Sequence, residues 1–244
     1  MSISQQTRSW SYFKERVRFL GKSATMVVIL WITFAVVLNY VDYFPPNLES
    51  EFLLGRSGYF WGSYQWAFYC HILASPFALP FGLFLLNDKL RMRFPLWHRR
   101  IGKTQVLLVL LLVAPSGLWM AFYADSNAVL GFVVMSVATG VTAAMGWITA
   151  VRRQFLVHRR WMWRNYLLLT SAVTIRVINT TAIRLDWPGD WIYPFSAWAS
   201  WLVPLMIFEG LQSRRRSKPM APRAEIVSDP QTSLDVPAPS SFRD

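Results

Sequence analysis

The residues of this 244-residue chain with most chemical capacity are three histidines, His71, His98 and His158, with Arg176 and Asn179. His71, Arg176 and Asn179 fall inside long apolar stretches. An ionisable or amide side chain there is costly, which makes it a candidate for function. His71 lies about eight residues into its stretch, roughly 12 Å deep at the rise of an α-helix. Arg176 stands at a similar depth, and Asn179 follows one turn later on the same helical face. The three residues predict a polar site that can hold a quinone headgroup or a carried solute. The plainer reading is a buried polar contact holding two helices together.

The other two histidines occupy a repeated motif, Leu96-Trp97-His98-Arg99-Arg100 and Leu156-Val157-His158-Arg159-Arg160, offset by 60 positions. Each precedes an apolar stretch that rises from the same side of the membrane, as in a duplicated hairpin. Two facing imidazoles are an axial pair for haem b, with the arginines neutralising its propionates. The same turns also suit a phosphate, a quinone headgroup or lipid phosphates at the interface. His71 is about 25 Å or more away by the same helical rise, so the three histidines do not ligate one metal. The single cysteine, Cys70, excludes an internal disulfide and a cysteine-based metal cage and reads as a packing residue. No nucleotide-binding loop, zinc-protease pair or nucleophile elbow is present, so no catalytic residue is assigned.

The elements that must position these residues follow from composition. With 54% hydrophobic residues, 13 Trp, 17 Phe and a net charge of +12, the natural solvent of the chain is lipid. Six apolar stretches, near 24–43, 63–87, 104–123, 128–150, 163–185 and 191–211, have the roughly 20 residues needed to cross a bilayer as helix. Lysine and arginine resist translocation and collect on the inner side. Here they cluster before the first stretch, after the second, after the fourth and in the tail, leaving only Arg56, Arg176 and Arg184 elsewhere. The opposite loops carry Asp42, Glu49, Glu51, Asp125, Asp186 and Asp190.

Hydropathy and charge together predict an all-α polytopic membrane protein of six transmembrane helices with both termini inside. Residues 1–23 form a basic cytoplasmic segment, 24–211 the transmembrane domain and 212–244 a disordered cytoplasmic tail rich in Ser, Pro and charge. Cations distributed in this way point to lipid as partner and exclude nucleic acid. The first stretch is too long, and lacks the small-residue site, for a cleaved signal peptide, so it reads as a retained anchor. Small residues at intervals of four, Ala74/Ala78/Gly82 and Ser136/Gly140/Ala144, predict inward faces for close helix contact. Pro76 and Pro80 predict a kink in the second helix. Residues 44–62 form an aromatic external loop.

Across Phe68-Tyr69-Cys70-His71-Ile72-Leu73-Ala74, Leu96-Trp97-His98-Arg99-Arg100-Ile101-Gly102-Lys103 and Val157-His158-Arg159-Arg160-Trp161-Met162-Trp163-Arg164, the chain resembles the domain-of-unknown-function 2306 family of predicted bacterial membrane proteins. The resemblance spans roughly 60–210. It implies that His71, His98 and His158 are the positions to test, and it implies residence in a bacterial cytoplasmic membrane.

The leading functional expectation is a small membrane redox protein, with haem between His98 and His158 or a quinone near His71 and Arg176. The alternatives are a carrier or small-molecule binding protein using the His71/Arg176 site, and an accessory subunit without chemistry of its own.

Overall fold

The computed structural model describes residues 3–50, 52–187 and 189–216. Among these the chain is helical and contains no β-strand, only an isolated bridge between Tyr43 and Pro46. Helix α1 runs Ile3–Leu38, α2 Gln65–Leu86, α3 Asp88–Arg93, α4 Pro95–Ala121, α5 Ser126–Val151, α6 Phe155–Arg184 and α7 Ile192–Arg216. Two compact units are distinguished, residues 1–208 and 209–244. Of the second, the described residues 209–216 are the last turns of α7. The tail expected beyond them lies outside the described residues.

The protein is a polytopic all-α membrane protein. Five segments combine the length and apolarity needed to cross a bilayer: Ser23–Asp42, Ser57–Leu86, Pro95–Ala121, Ser126–Val151 and Phe155–Arg184. The expected sixth, α7, is a 25-residue helix. Tyr193, Pro194, Trp198, Trp201 and Pro204, with three serines, make it less apolar than the other five. It is long enough to span, and it packs on its neighbours through aromatic rings. Tyr193 meets Phe132 of α5 at 5.8 Å between ring centroids, and Phe208 meets Trp163 of α6 at 6.4 Å.

Small residues allow close packing where the sequence places them on α2. Ala74, Ala78 and Gly82 are all buried. A Cβ added at Gly82 would collide with the Tyr166 ring of α6. On α5 the expected face is shifted: Ser136 is buried, but Gly140 and Ala144 are only half-buried, while Thr139, Thr142, Ala143, Gly146 and Thr149 lie inside. The buried hydroxyls are satisfied within the helix, Thr142 and Thr149 each bonding carbonyls three and four residues back. Intrahelical bonding of this kind lets hydroxyl side chains serve as small packing residues, a use that hydropathy alone does not reveal.

Three helices depart from regularity at positions that matter below. In α2, Pro76 has no N–H to give to the Ile72 carbonyl, and the Tyr40 hydroxyl donates to that carbonyl instead. In α4, residues Val109–Val113 form a π-helical turn directly before Pro115. The inserted residue advances everything beyond it by about 100° around the helix axis. In α6, the helix breaks at Thr170 between Phe155–Leu169 and Ser171–Arg184.

The external segment 39–64 folds over the outer ends of α2 and α4. Leu53, Phe60, Tyr64 and Phe68 form a buried cluster there, joined by Tyr43, Tyr59, Tyr69, Met120 and Tyr123. Tyr69 donates to the Tyr43 carbonyl at 2.9 Å, and the Arg56 Nε donates to the Tyr64 hydroxyl at 3.1 Å.

Two outcomes are expected in thermal unfolding of the detergent-solubilised protein. Gly82→Val lowers stability by about 1–3 kcal/mol through overpacking against Tyr166. Tyr40→Phe costs about 1 kcal/mol by leaving the Ile72 carbonyl unbonded. The second cost shrinks in a Pro76→Ala background, where the backbone itself supplies the donor.

Candidate functional site

Between the helices, under the aromatic segment, lies a cavity of about 1300 Å³ to which every long helix contributes. His71, Arg176 and Asn179 all line it. The helical phases explain how. His71 lies one turn before Ala74 on the inward face of α2, and Arg176 and Asn179 lie one turn apart on the outer segment of α6. Towards the inside the cavity ends on a buried apolar cluster that includes Ala78, Leu79, Val109, Val113, Ala143 and Leu169.

Arg176 is exposed and is among the residues that line the cavity. Its Nη1 donates to the Ala172 carbonyl at 2.7 Å, one turn back on its own helix. Among the described residues no carboxylate pairs with it. Tyr40 and Tyr43 are near enough to act on its charge. The carbonyl oxygen of Asn179 is buried without a hydrogen-bond partner.

The remaining outward cations share this location. Arg56 and Arg184 also line the cavity, so all three arginines found outside the basic inner clusters border one space. Asp42 is the carboxylate among the lining residues.

His71 is held by a residue that the sequence reading did not single out. Its Nδ1 lies 3.1 Å from Oγ of Ser116 on α4. The Ser116 hydroxyl in turn donates to the Leu112 carbonyl within the π-turn region. Ser116 has one hydroxyl proton, and that bond uses it. The Nδ1 contact is therefore a donation from the imidazole, and in the neutral ring Nε2 is left with its lone pair. Gly117 provides room for this arrangement: a Cβ there would meet His71 Cε1 at 3.2 Å and Ser136 Oγ at 3.3 Å. The adjacent Pro115 was the available signal that α4 departs from regularity next to Ser116.

His98 and His158 occupy equivalent positions at the starts of α4 and α6. Their backbone N–H groups bond to the carbonyls of Phe94 and Gln154, four residues back in each case. The His158 Nδ1–H donates to the Gly146 carbonyl at 2.8 Å, which leaves Nε2 as its free nitrogen. The His98 Nδ1 is buried without a partner. The two rings are close enough for the charge of one to act on the other. The first turns of α6 are tied to α3 by Arg159, which bonds Asp88 at 2.7 Å.

Cys70 is exposed on the outer surface of α2 rather than packed. Among the described residues, no three His, Cys, Asp or Glu side chains come together as a metal site.

The family model for the predicted membrane proteins termed DUF2306 matches residues 68–211. The chain belongs to this family. The matched region starts just before His71 and includes every histidine, Arg176 and Asn179, together with the π turn of α4. No curated protein and no solved structure shows significant similarity to the chain.

The tautomer assignment is open to direct measurement. In ¹⁵N-histidine-labelled protein, His71 is expected to carry its proton on Nδ1, and Ser116→Ala is expected to shift that resonance and leave those of His98 and His158 in place.

Proposed function

We propose that this protein is a membrane-embedded binding or carrier protein for a small anionic molecule, held in the outer-half cavity with Arg176 as its anchor. The reading places it in a bacterial cytoplasmic membrane, with the cavity reached from the outer side. The observation that carries it is the state of Arg176: a guanidinium within the span, open to a cavity and bonded to one backbone carbonyl. A cation at bilayer depth costs about 2.5–3.5 kcal/mol even on the mildest scale, and structures that tolerate one usually supply an opposite charge. Here the protein places Arg56 and Arg184 around the same space as well, against the single carboxylate of Asp42, so the lining carries an excess of positive charge that an anion would balance. A guanidinium engages a carboxylate or phosphate with two parallel bonds, which makes it the fitting anchor.

Ligand-induced thermal stabilisation in nanodiscs tests this reading. The panel is benzoate, decanoate and dodecyl phosphate, with benzamide and decanol as neutral counterparts and a short-chain benzoquinone as a further arm. At an anion concentration near 100 times Kd, stabilisation should reach about 2.7 kcal/mol. Arg176→Gln is expected to weaken anion binding at least about tenfold while the protein stays folded, because a hydrogen bond to a charged group is lost. The reading fails if no anion of the panel stabilises the wild type, or if stabilisation persists in Arg176→Gln. Stabilisation by the benzoquinone alone would overturn it in favour of a quinone site.

A second reading, haem b between His98 and His158 in an electron-transfer protein, is supported by the nearness of the two rings and by the His158 bond to Gly146. A bond of that kind is how an axial histidine is oriented. It has less support than the cavity, because α4 and α6 pack mainly on α2 and α5 rather than on each other. A reduced-minus-oxidised spectrum of protein purified from haem-supplied cells decides it. An α band that is lost in His98→Ala or His158→Ala and kept in His71→Ala supports haem, and a featureless spectrum removes it.

A further inference from the structure

We infer that the cavity's ligand is a hydroxylated aromatic carboxylate, its carboxylate on Arg176 and its phenolic hydroxyl donating to Nε2 of His71. This inference rests on the anion reading above and specifies the other end of the molecule. The steps are all local. The Ser116 hydroxyl has the Leu112 and Val113 carbonyls as acceptors, and with its proton placed there the His71 contact is assigned as a donation from Nδ1 to Ser116 Oγ. In the neutral ring that makes Nε2 an acceptor, on a side chain lining the cavity. A ligand that only accepts hydrogen bonds satisfies Arg176 and leaves Nε2 empty; one that also carries a hydroxyl or N–H satisfies both.

His71 and Arg176 line the same cavity, so one small molecule seated there can reach both. Tyr40, Tyr43, Phe68, Phe132 and Tyr193 are among the residues lining the same cavity. Aromatic walls favour a flat ring through edge and face contacts. A phenol is a strong donor on such a ring. Among simple chemistries, a carboxylate and a phenolic hydroxyl on one ring match the two poles of the site and its walls together.

The experiment is titration of the full-length protein in nanodiscs with benzoate, 3-hydroxybenzoate, 4-hydroxybenzoate and 4-methoxybenzoate. The tighter of the two hydroxybenzoates is expected to bind at least about tenfold more strongly than benzoate, because a buried acceptor left unpaired is penalised. The methoxy compound keeps the oxygen and loses the donor, so it should bind no better than benzoate. In His71→Leu the hydroxyl preference should fall to within about threefold of unity. In the wild type, the ¹⁵N resonance of His71 Nε2 should move on adding the preferred hydroxybenzoate and stay in place with benzoate, a readout that does not depend on any variant folding.

Equal binding of benzoate and both hydroxybenzoates, with dependence on Arg176 intact, overturns this inference and leaves the anion reading standing. A His71 found protonated at Nε2 overturns it independently. If none of the four compounds binds, the inference fails, and the wider anion panel shows whether the function reading fails with it.

Discussion

In lipid, a backbone carbonyl that loses its donor has no water to turn to, and this constraint organises the outer half of the molecule. At two departures from helical regularity around the cavity a side chain bonds the backbone. Pro76 withholds the donor for Ile72, and Tyr40 supplies one from the end of the first span. The π turn before Pro115 leaves α4 irregular, and Ser116 bonds back to Leu112. These repairs also shape the site. The Tyr40 bond draws the end of the first span against α2. The Ser116 bond turns its oxygen into the acceptor that orients His71.

A second constraint is the partition of charge. Lysine and arginine are kept to the inner side, where translocation does not have to move them. The exceptions, Arg56, Arg176 and Arg184, all border the same cavity. Arg56 reaches it from the external segment, with its Nε on Tyr64 and its guanidinium 4.6 Å from the centre of the Phe52 ring. Arg184 closes the last turn of α6. Aromatic and cationic residues that look scattered along the chain are thus gathered at one place by the fold.

Much of this was legible in the sequence because lipid enforces simple rules. Length, apolarity and the alternation of basic loops gave the helices and their orientation. Helical spacing put Arg176 and Asn179 on one face, and Ala74 on the face of His71. Pattern reasoning was weaker where chemistry is local or contacts are distant. It placed the inward face of α5 on Ser136, Gly140 and Ala144 from their spacing of four; Ser136 is buried, but the rest of that face is built with Thr139, Thr142 and Thr149, which bond within their own helix and pack as small residues. It read Cys70 as a packing residue, although that residue is exposed. It passed over Ser116 and Tyr40, whose roles depend on a π turn and on a contact across 32 residues of chain. The shared cavity of the three arginines is a property of the fold, and no spacing in the chain encodes it.

The apolar floor beneath the cavity, built from Ala78, Leu79, Val109, Val113, Ala143 and Leu169, has an electrical meaning as well. It is the low-dielectric layer across which most of the membrane potential falls. A monovalent anion seated beside Arg176 has entered only the outer part of that field, so its loading and release are little affected by voltage. To continue inward through the floor it would climb an inside-negative potential at about 2.3 kcal/mol per 100 mV. Passage in that direction therefore needs a driving force, the anion's own concentration gradient or a cation carried with it, whereas retention at the outer side needs none.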